Sequence, residues 1–88
     1  MRVEFHRSAF KHGFDTNTIL HTLEHALTII ELEPAADPPR ILAIGADPAG
    51  TLLEIVWLEL DGGAEIVIHA MPLRPAFHAL LPTQGDQP

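Results

Sequence analysis

The stretch TLLEIVWLELDGGAEIVIHAM, residues 51–71, decides the fold. Its first half, Thr51 to Leu60, is apolar on both faces except for two glutamates, one of them Glu54, which predicts the central strand of a sheet. Asp61-Gly62 is a strong hairpin signal, and Ala64 to Met71 predicts the next strand. Because so short a link cannot carry a crossover, these two strands must be antiparallel neighbours.

A third strand is predicted immediately upstream. The segment RILAIG runs from Arg40 to Gly45, and the turn DPAG, Asp47 to Gly50, joins it to the central strand. Strict alternation along the last strand places its side chains on two faces. One face is predicted to carry Glu65, Val67, His69 and Met71, and the other Ala64, Ile66, Ile68 and Ala70.

The N-terminal part predicts a strand and a helix. Residues 2–6 alternate polar and apolar, which favours a short edge strand. Helical spacing begins at Thr16, with Asp15 or Thr16 as the N-cap. At about 100° per residue, six apolar side chains fall in one arc. They are Ile19, Leu20, Leu23, Ala26, Leu27 and Ile30. We expect the helix to end near Ala26, although the stripe continues beyond it, and LTIIEL, which is rich in β-branched residues, suits a strand.

The remaining segments complete a one-domain plan. The proline-rich EPAADPPR, residues 33–40, predicts a loop, and PAFHALL, residues 75–81, one helical turn. We expect a single domain over residues 1–82 and a flexible tail over 83–88. The predicted fold class is α+β, with an N-terminal helix packed on a small antiparallel β-sheet meander.

Composition restricts the classes of protein. The 88 residues are 47% hydrophobic and 19% charged, which is typical of a globular chain. Absence of cysteine excludes disulfides and thiolate chemistry, and the apolar runs are too short for a membrane span, so we expect a cytoplasmic protein without a signal peptide. The net charge of −7 disfavours nucleic-acid binding by the whole surface. Residues 2–12, however, hold three cations against one acid and predict a local basic patch or a solvated terminus.

The segment HTLEH, His21 to His25, matches the H-x-x-E-H pattern of inverted zinc proteases. On a helix the two histidines lie about 40° apart, on the side away from the apolar stripe. The chain lacks a second long helix to supply a further carboxylate. We therefore interpret HTLEH as a solvated helix face and predict neither a metal nor another cofactor.

Two other segments carry candidate chemistry. Lys11-His12-Gly13 precedes the helix, and IHAMPLR places His69 and Arg74 at the end of the last strand. Arg40 opens a neighbouring strand. A histidine and arginines at one sheet end can act as a general base and a phosphate clamp. The structural alternative is that His69 bonds to Glu65 or a backbone carbonyl while the arginines pair with surface acids.

The order of these features resembles the BrnT-type toxins of bacterial toxin–antitoxin pairs and, more distantly, the RelE/ParE-like superfamily. The resemblance covers roughly residues 8 to 81: KHG before a helix, an arginine opening a strand that ends in IG, a strand of the LLEIV type, a hairpin, and IHAMPLR. The family usually ends its last strand with serine-alanine-arginine, where this chain has His69-Ala70-Met71.

The resemblance implies a RelE/ParE-like fold and a ribonuclease toxin that cleaves RNA without a metal. It also implies neutralisation by a small cognate antitoxin, typically a ribbon-helix-helix DNA-binding protein. The positions that match are Lys11, His12, Arg40, His69 and Arg74. In such a reaction His69 or His12 serves as base or acid, and Arg40 and Arg74 hold the phosphate.

Two other classes stay open from the residues alone. The first is a non-catalytic protein-binding module, a degenerate toxin fold that binds an antitoxin or self-associates through a sheet edge. It predicts an exposed apolar patch and no convergent cations. The second is a small-molecule or metal-binding domain, which predicts a metal held by His21 and His25 together with at least one further ligand.

Overall fold

A computed structural model describes residues 2–33 and 35–82 of the chain. It has the predicted α+β class, with one α-helix and a five-stranded sheet. The elements are β1 (Arg2–Phe5), α1 (Thr16–Glu24), β2 (Ala26–Glu31), β3 (Arg40–Ala46), β4 (Leu52–Glu59) and β5 (Ala64–Pro72). Short 3₁₀ helices span Arg7–Phe10, Asp61–Gly63 and Pro75–Leu80. The tail predicted over 83–88 lies outside the described residues.

The sheet order is β1-β5-β4-β3-β2. Strands β2 to β5 form the predicted antiparallel meander. Strand β1 instead pairs with β5 in parallel, so the sheet is mixed and the prediction of a purely antiparallel sheet was wrong. A four-residue strand with simple alternation does not reveal which edge it will join or in which direction. Strands β1 and β2 consequently lie at opposite edges, and α1 connects them across one face, here called the helix face.

Helix α1 begins and ends for local reasons. The side chain of Asp15 accepts a hydrogen bond of 2.8 Å from the backbone N–H of Thr18, which caps the first turn. The last helical residue is Glu24, because β-branched residues follow and alternation replaces the helical period. The predicted six-residue apolar arc is therefore divided: Ala26, Leu27 and Ile30 belong to β2 and not to the helix.

The end of α1 packs directly on β3 at Gly45. A Cβ atom at this position would lie 2.5 Å from the carbonyl oxygen of Thr22 and 3.0 Å from that of His25. Only glycine allows two backbones to approach so closely. This contact sets where the helix crosses the sheet.

Both faces of the sheet carry a core. On the helix face, Ile19 of α1 packs with Leu53, Ile55 and Trp57 of β4 and with their neighbours. On the opposite face, here called the pocket face, the C-terminal segment covers the strands. That core contains Leu42, Ile44 and Val56, with Ile68, Leu73, Phe77, Leu80 and Leu81 packed against it. Strand β4 is therefore apolar on both sides because it is covered twice, although its neighbours are antiparallel.

A β-bulge interrupts β5. Trp57 is paired with Val67 and Val56 with His69, which leaves Ile68 as the extra residue. The alternation predicted for β5 consequently fails after Val67. His69 and Met71 project to the pocket face, while Val67 packs in the core of the helix face. The hydroxyl of Ser8 donates a hydrogen bond of 2.6 Å to the carbonyl of Ile68, which fixes the bulge from outside the sheet.

None of the helices in the described part of the chain is long and apolar enough to cross a membrane.

Candidate functional site

A concave site lies on the pocket face, where the bulge of β5 meets the C-terminal segment. Three of the five candidate residues line it: Arg40, His69 and Arg74. Its cavity has a volume of about 320 Å³. The apolar part of the wall comes from Leu32, Val56, Ile68 and Phe77. The bulge determines this arrangement, because it places Ile68 and His69 on the same side of the strand.

The centre of the polar network is Glu54, whose side chain is fully buried. The Nε2 atom of His69 lies 2.9 Å from Oε2 of Glu54. Arg74 donates to the same oxygen from Nε at 2.9 Å and from Nη2 at 2.6 Å, and its backbone N–H donates to Oε1 at 3.0 Å. One carboxylate therefore orients both an imidazole and a guanidinium.

The hydrogen bonds keep Glu54 ionised in spite of its burial. Burial alone would raise the pKa of this carboxyl group. Hydrogen bonds donated by the side chain and backbone of Arg74 and by the ring of His69 lower the pKa by more than burial raises it. The pKa of Glu54 therefore lies below the usual value of glutamate. Reciprocally, Glu54 raises the pKa of Arg74 through hydrogen bonding and charge. An ionised carboxylate only accepts, so Nε2 of His69 carries its hydrogen toward Glu54.

His12 approaches the site from outside the sheet. The centroids of the His12 and His69 rings are 6.1 Å apart, in an edge-to-face arrangement. The loop that holds His12 is positioned by the parallel pairing of β1 with β5 and by the contact of Ser8 with the bulge. The side chain of His12 is exposed, and His69 is about one quarter exposed. The two imidazoles are therefore close enough to contact one bound ligand.

The other cations differ in how firmly they are held. Arg74 stacks on Phe77, with its guanidinium carbon 5.0 Å from the ring centroid. Arg40 pairs with Glu33 at 3.7 Å, and both side chains are more than half exposed, so this ion pair is weak and easily exchanged for an anion. Lys11 is exposed at the end of the first 3₁₀ helix and does not line the cavity.

The alternative in which these side chains have only structural roles predicted that His69 bonds to Glu65 or a backbone carbonyl and that the arginines pair with surface acids. The structure confirms only one of these contacts. Arg40 does pair with a surface acid, as that alternative predicts. His69 bonds to Glu54, not to Glu65 or a backbone carbonyl, and Arg74 also bonds to this buried carboxylate. Arg40, His69 and Arg74 thus converge on one cavity, His12 lies beside it, and Lys11 does not line it.

Glu54 is the residue that the sequence reasoning missed. In the sequence it is an interruption of an apolar strand. The sequence did contain a signal for Glu54. A carboxylate in a strand that is buried on both faces lowers the stability of the fold unless cations and hydrogen-bond donors contact it. His69 and Arg74 were the hydrogen-bond donors available, but the register that brings them to Glu54 depends on the bulge.

The HTLEH segment lies on the opposite side of the molecule. The rings of His21 and His25 stack at 4.2 Å, and Nδ1 of His25 lies 2.8 Å from the carbonyl oxygen of His21. Glu24 and His25 are exposed, as predicted, but His21 is only partly exposed and His25 is the C-cap residue that follows the helix, so the predicted solvated helix face is confirmed only in part. Among residues 2–33 and 35–82, no group of three or more histidine, aspartate or glutamate side chains is arranged to hold a metal ion.

In comparisons with known proteins, the chain matches no family model, no curated protein and no solved structure. The resemblance to BrnT-type and RelE/ParE-like toxins therefore stays a prediction. The protein is therefore described by its fold and its site. The fold is α+β with a five-stranded mixed sheet, and in the site one buried carboxylate binds an imidazole and a guanidinium.

Proposed function

We propose that the protein is a metal-independent RNA-cleaving enzyme, the toxin of a toxin–antitoxin pair that a small antitoxin neutralises. The observation that carries the proposal is the convergence of His69, Arg74 and Arg40 on one cavity, with His12 beside it. These are the groups that cleavage through the ribose 2′-hydroxyl requires: a base, an acid and cations. The antitoxin, a ribbon-helix-helix DNA-binding protein in the family that the sequence resembles, enters on that resemblance alone.

The Glu54–His69 pair supplies a proton acceptor. Because Nε2–H is bound to Glu54, Nδ1 is the ring nitrogen that can accept a proton. His69 takes the 2′-hydroxyl proton as the hydroxyl oxygen attacks phosphorus, and His12, when protonated, gives a proton to the departing 5′-oxygen. The carboxylate stabilises the imidazolium that forms on His69.

The arginines stabilise the charge that builds up on the phosphoryl oxygens. Arg74 uses Nε and Nη2 to bind Glu54, which fixes its plane and leaves Nη1 for a phosphate oxygen. Arg40 exchanges its weak contact with Glu33 for the same phosphate. A preorganised guanidinium is effective because it needs no reorientation as the transition state forms.

The acidic surface restricts how RNA is bound. With a net charge of −7, long-range attraction of RNA is absent, and affinity must come from the few cations at the cavity. For a single strand that contacts two or three cations, the logarithm of affinity should fall with the logarithm of salt concentration with a slope of about −1.4 to −2.1. The substrate segment is therefore short and single-stranded.

One observation favours the alternative function, a non-catalytic protein-binding module. Leu27 and Ile29 on β2 are 54% and 59% exposed, which is unusual for large apolar side chains on a sheet. The same alternative predicts no convergent cationic residues, whereas Arg40, His69 and Arg74 line one cavity. An exposed apolar patch and a cationic cavity can belong to one toxin that also binds a partner.

Expression of the chain alone in bacteria tests the proposal. We expect growth arrest and RNA cleavage with the unmodified chain, and relief of both by His69→Gln and by Arg74→Lys. His21→Gln is the matched control, since it removes a histidine on the helix face and should leave the arrest intact. Normal growth with the folded, unmodified chain, or equal toxicity of the His69 variant, contradicts catalysis and favours the binding module.

A further inference from the structure

The helix face has an uncovered apolar groove. Helix α1 has nine residues and is about 14 Å long, whereas five strands spaced by about 4.8 Å extend over about 19 Å from the first axis to the last. One short helix therefore leaves part of the face open. The groove has a volume of about 480 Å³, and its apolar lining is Val3, Leu20, Leu23, Ile29, Trp57 and Val67.

The rim of the groove is acidic. Glu24 and Glu65 line it directly. Glu59 lies opposite Glu65 in the β4–β5 register, and Glu31 follows Ile29 on the same side of β2. Within residues 2–33 and 35–82, none of these four carboxylates forms an ion pair. An apolar floor with unpaired carboxylates around it is complementary to an apolar stripe flanked by lysine or arginine.

We propose that this groove binds a cationic amphipathic helix of a partner protein. Its apolar stripe contacts Ile29 and Trp57, and its basic side chains reach Glu24 and Glu65. A strand added at the β2 edge would satisfy backbone groups but would not reach Trp57 and Val67, which lie on interior strands. A second copy of the chain is disfavoured, because a symmetric contact would bring the four carboxylates of each copy together.

This inference does not depend on the proposed RNA cleavage. The groove lies on the helix face and the Glu54 site on the pocket face, so a helix in the groove leaves the cavity open. Failure of one proposal therefore leaves the other to be judged by its own experiment.

The test uses a synthetic probe and the only tryptophan of the chain, Trp57, in the groove floor. An 18-residue amphipathic peptide of leucine and lysine is titrated into the full chain, and Trp57 emission and calorimetric heat are recorded. We expect saturable binding, and none with the corresponding leucine–glutamate peptide. Equal affinity for both peptides, or no binding of the lysine peptide, overturns the proposal.

Variants separate the groove from general charge attraction. The double variant Glu24→Lys/Glu65→Lys should weaken binding of the lysine peptide at least tenfold. Glu4→Lys/Glu33→Lys, which changes the net charge equally but away from the groove, should alter it less than twofold. Ile29→Ser, at a position 59% exposed and therefore not needed for folding, should weaken it tenfold. Equal losses in both double variants, or unchanged affinity of Ile29→Ser, refute the groove.

Self-association is measured on the same samples. Light scattering after size-exclusion chromatography should show a monomer across a hundredfold range of concentration. A dimer that Ile29→Ser dissociates would identify a second copy as the occupant and overturn the proposal of a basic partner.

Discussion

Replacing Glu54 by glutamine should destabilise the protein, and the loss should depend on pH. The substitution conserves volume but removes the charge that accepts hydrogen bonds from His69 and Arg74. Removing one partner of a fully buried ion pair costs about 3–5 kcal/mol. Here the side chains left behind are 27% and 50% exposed and can regain water, so a smaller loss of about 2 kcal/mol is expected. For a domain of this size, that corresponds to a fall in Tm of about 8–16 °C.

The pH dependence distinguishes the ion pair from simple packing. The folded-state pKa of Glu54 is below the ordinary glutamate value expected for the unfolded chain, so the unfolded state binds more protons at acidic pH. The stabilisation is fully present above the unfolded pKa and is lost as pH falls through the folded pKa. The stability curves of the two proteins should therefore be separated at pH 7 and converge in acid.

Urea unfolding followed by Trp57 fluorescence between pH 2 and pH 8 measures this directly. Glu33→Gln, which removes only the exposed pair with Arg40, is the control and should change the urea midpoint little. A difference between the wild-type and Glu54→Gln curves that is the same at every pH, or no difference at pH 7, would refute the reasoning.

Three further predictions follow from single contacts. Gly45→Ala should lower the unfolding free energy by about 1–3 kcal/mol, because the alanine Cβ would lie 2.5 Å from the carbonyl oxygen of Thr22. An unchanged urea midpoint would show that α1 can move away from β3 without loss of stability. Asp15→Ala should lower Tm and Asp15→Asn should not, because only alanine lacks an oxygen that can accept a hydrogen bond from the N–H of Thr18. Thermal unfolding followed by circular dichroism measures both variants. Equal Tm values would show that this helix cap does not contribute to stability. Arg40→Gln should weaken binding of a short RNA and reduce the salt slope by about 0.7; a slope unchanged in fluorescence anisotropy would remove Arg40 from the phosphate site.

The local elements of the fold follow from the sequence, and the long-range pairings do not. Hairpin chemistry at Asp61-Gly62 and the apolar runs on either side determine β4 and β5 without reference to the rest of the chain. The position of β1 beside β5 depends on a chain that crosses the whole sheet, and four alternating residues contain no information about that destination. The predicted antiparallel sheet was wrong for this reason.

The sequence predicted two residues of the candidate site, His69 and Arg74, but not the buried Glu54 that binds them both. His69 and Arg74 stand out as a histidine and an arginine near the end of a strand. Their common partner, Glu54, depends on an extra residue in β5, because period-two alternation without the bulge places His69 on the helix face. A one-residue irregularity that no local signal marks thus decides which side chains meet.

The most direct test of the central claim is cleavage of RNA by the purified chain in EDTA. The substrates are a random-sequence single-stranded RNA pool and its 2′-deoxy counterpart, and the products are mapped for 2′,3′-cyclic phosphate ends. If the chain cleaves through the ribose 2′-hydroxyl, cyclic ends form from RNA only, and folded His69→Gln is about 10²- to 10⁴-fold slower. No cleavage at excess enzyme, cleavage of the 2′-deoxy pool, or an unchanged rate for His69→Gln would contradict it.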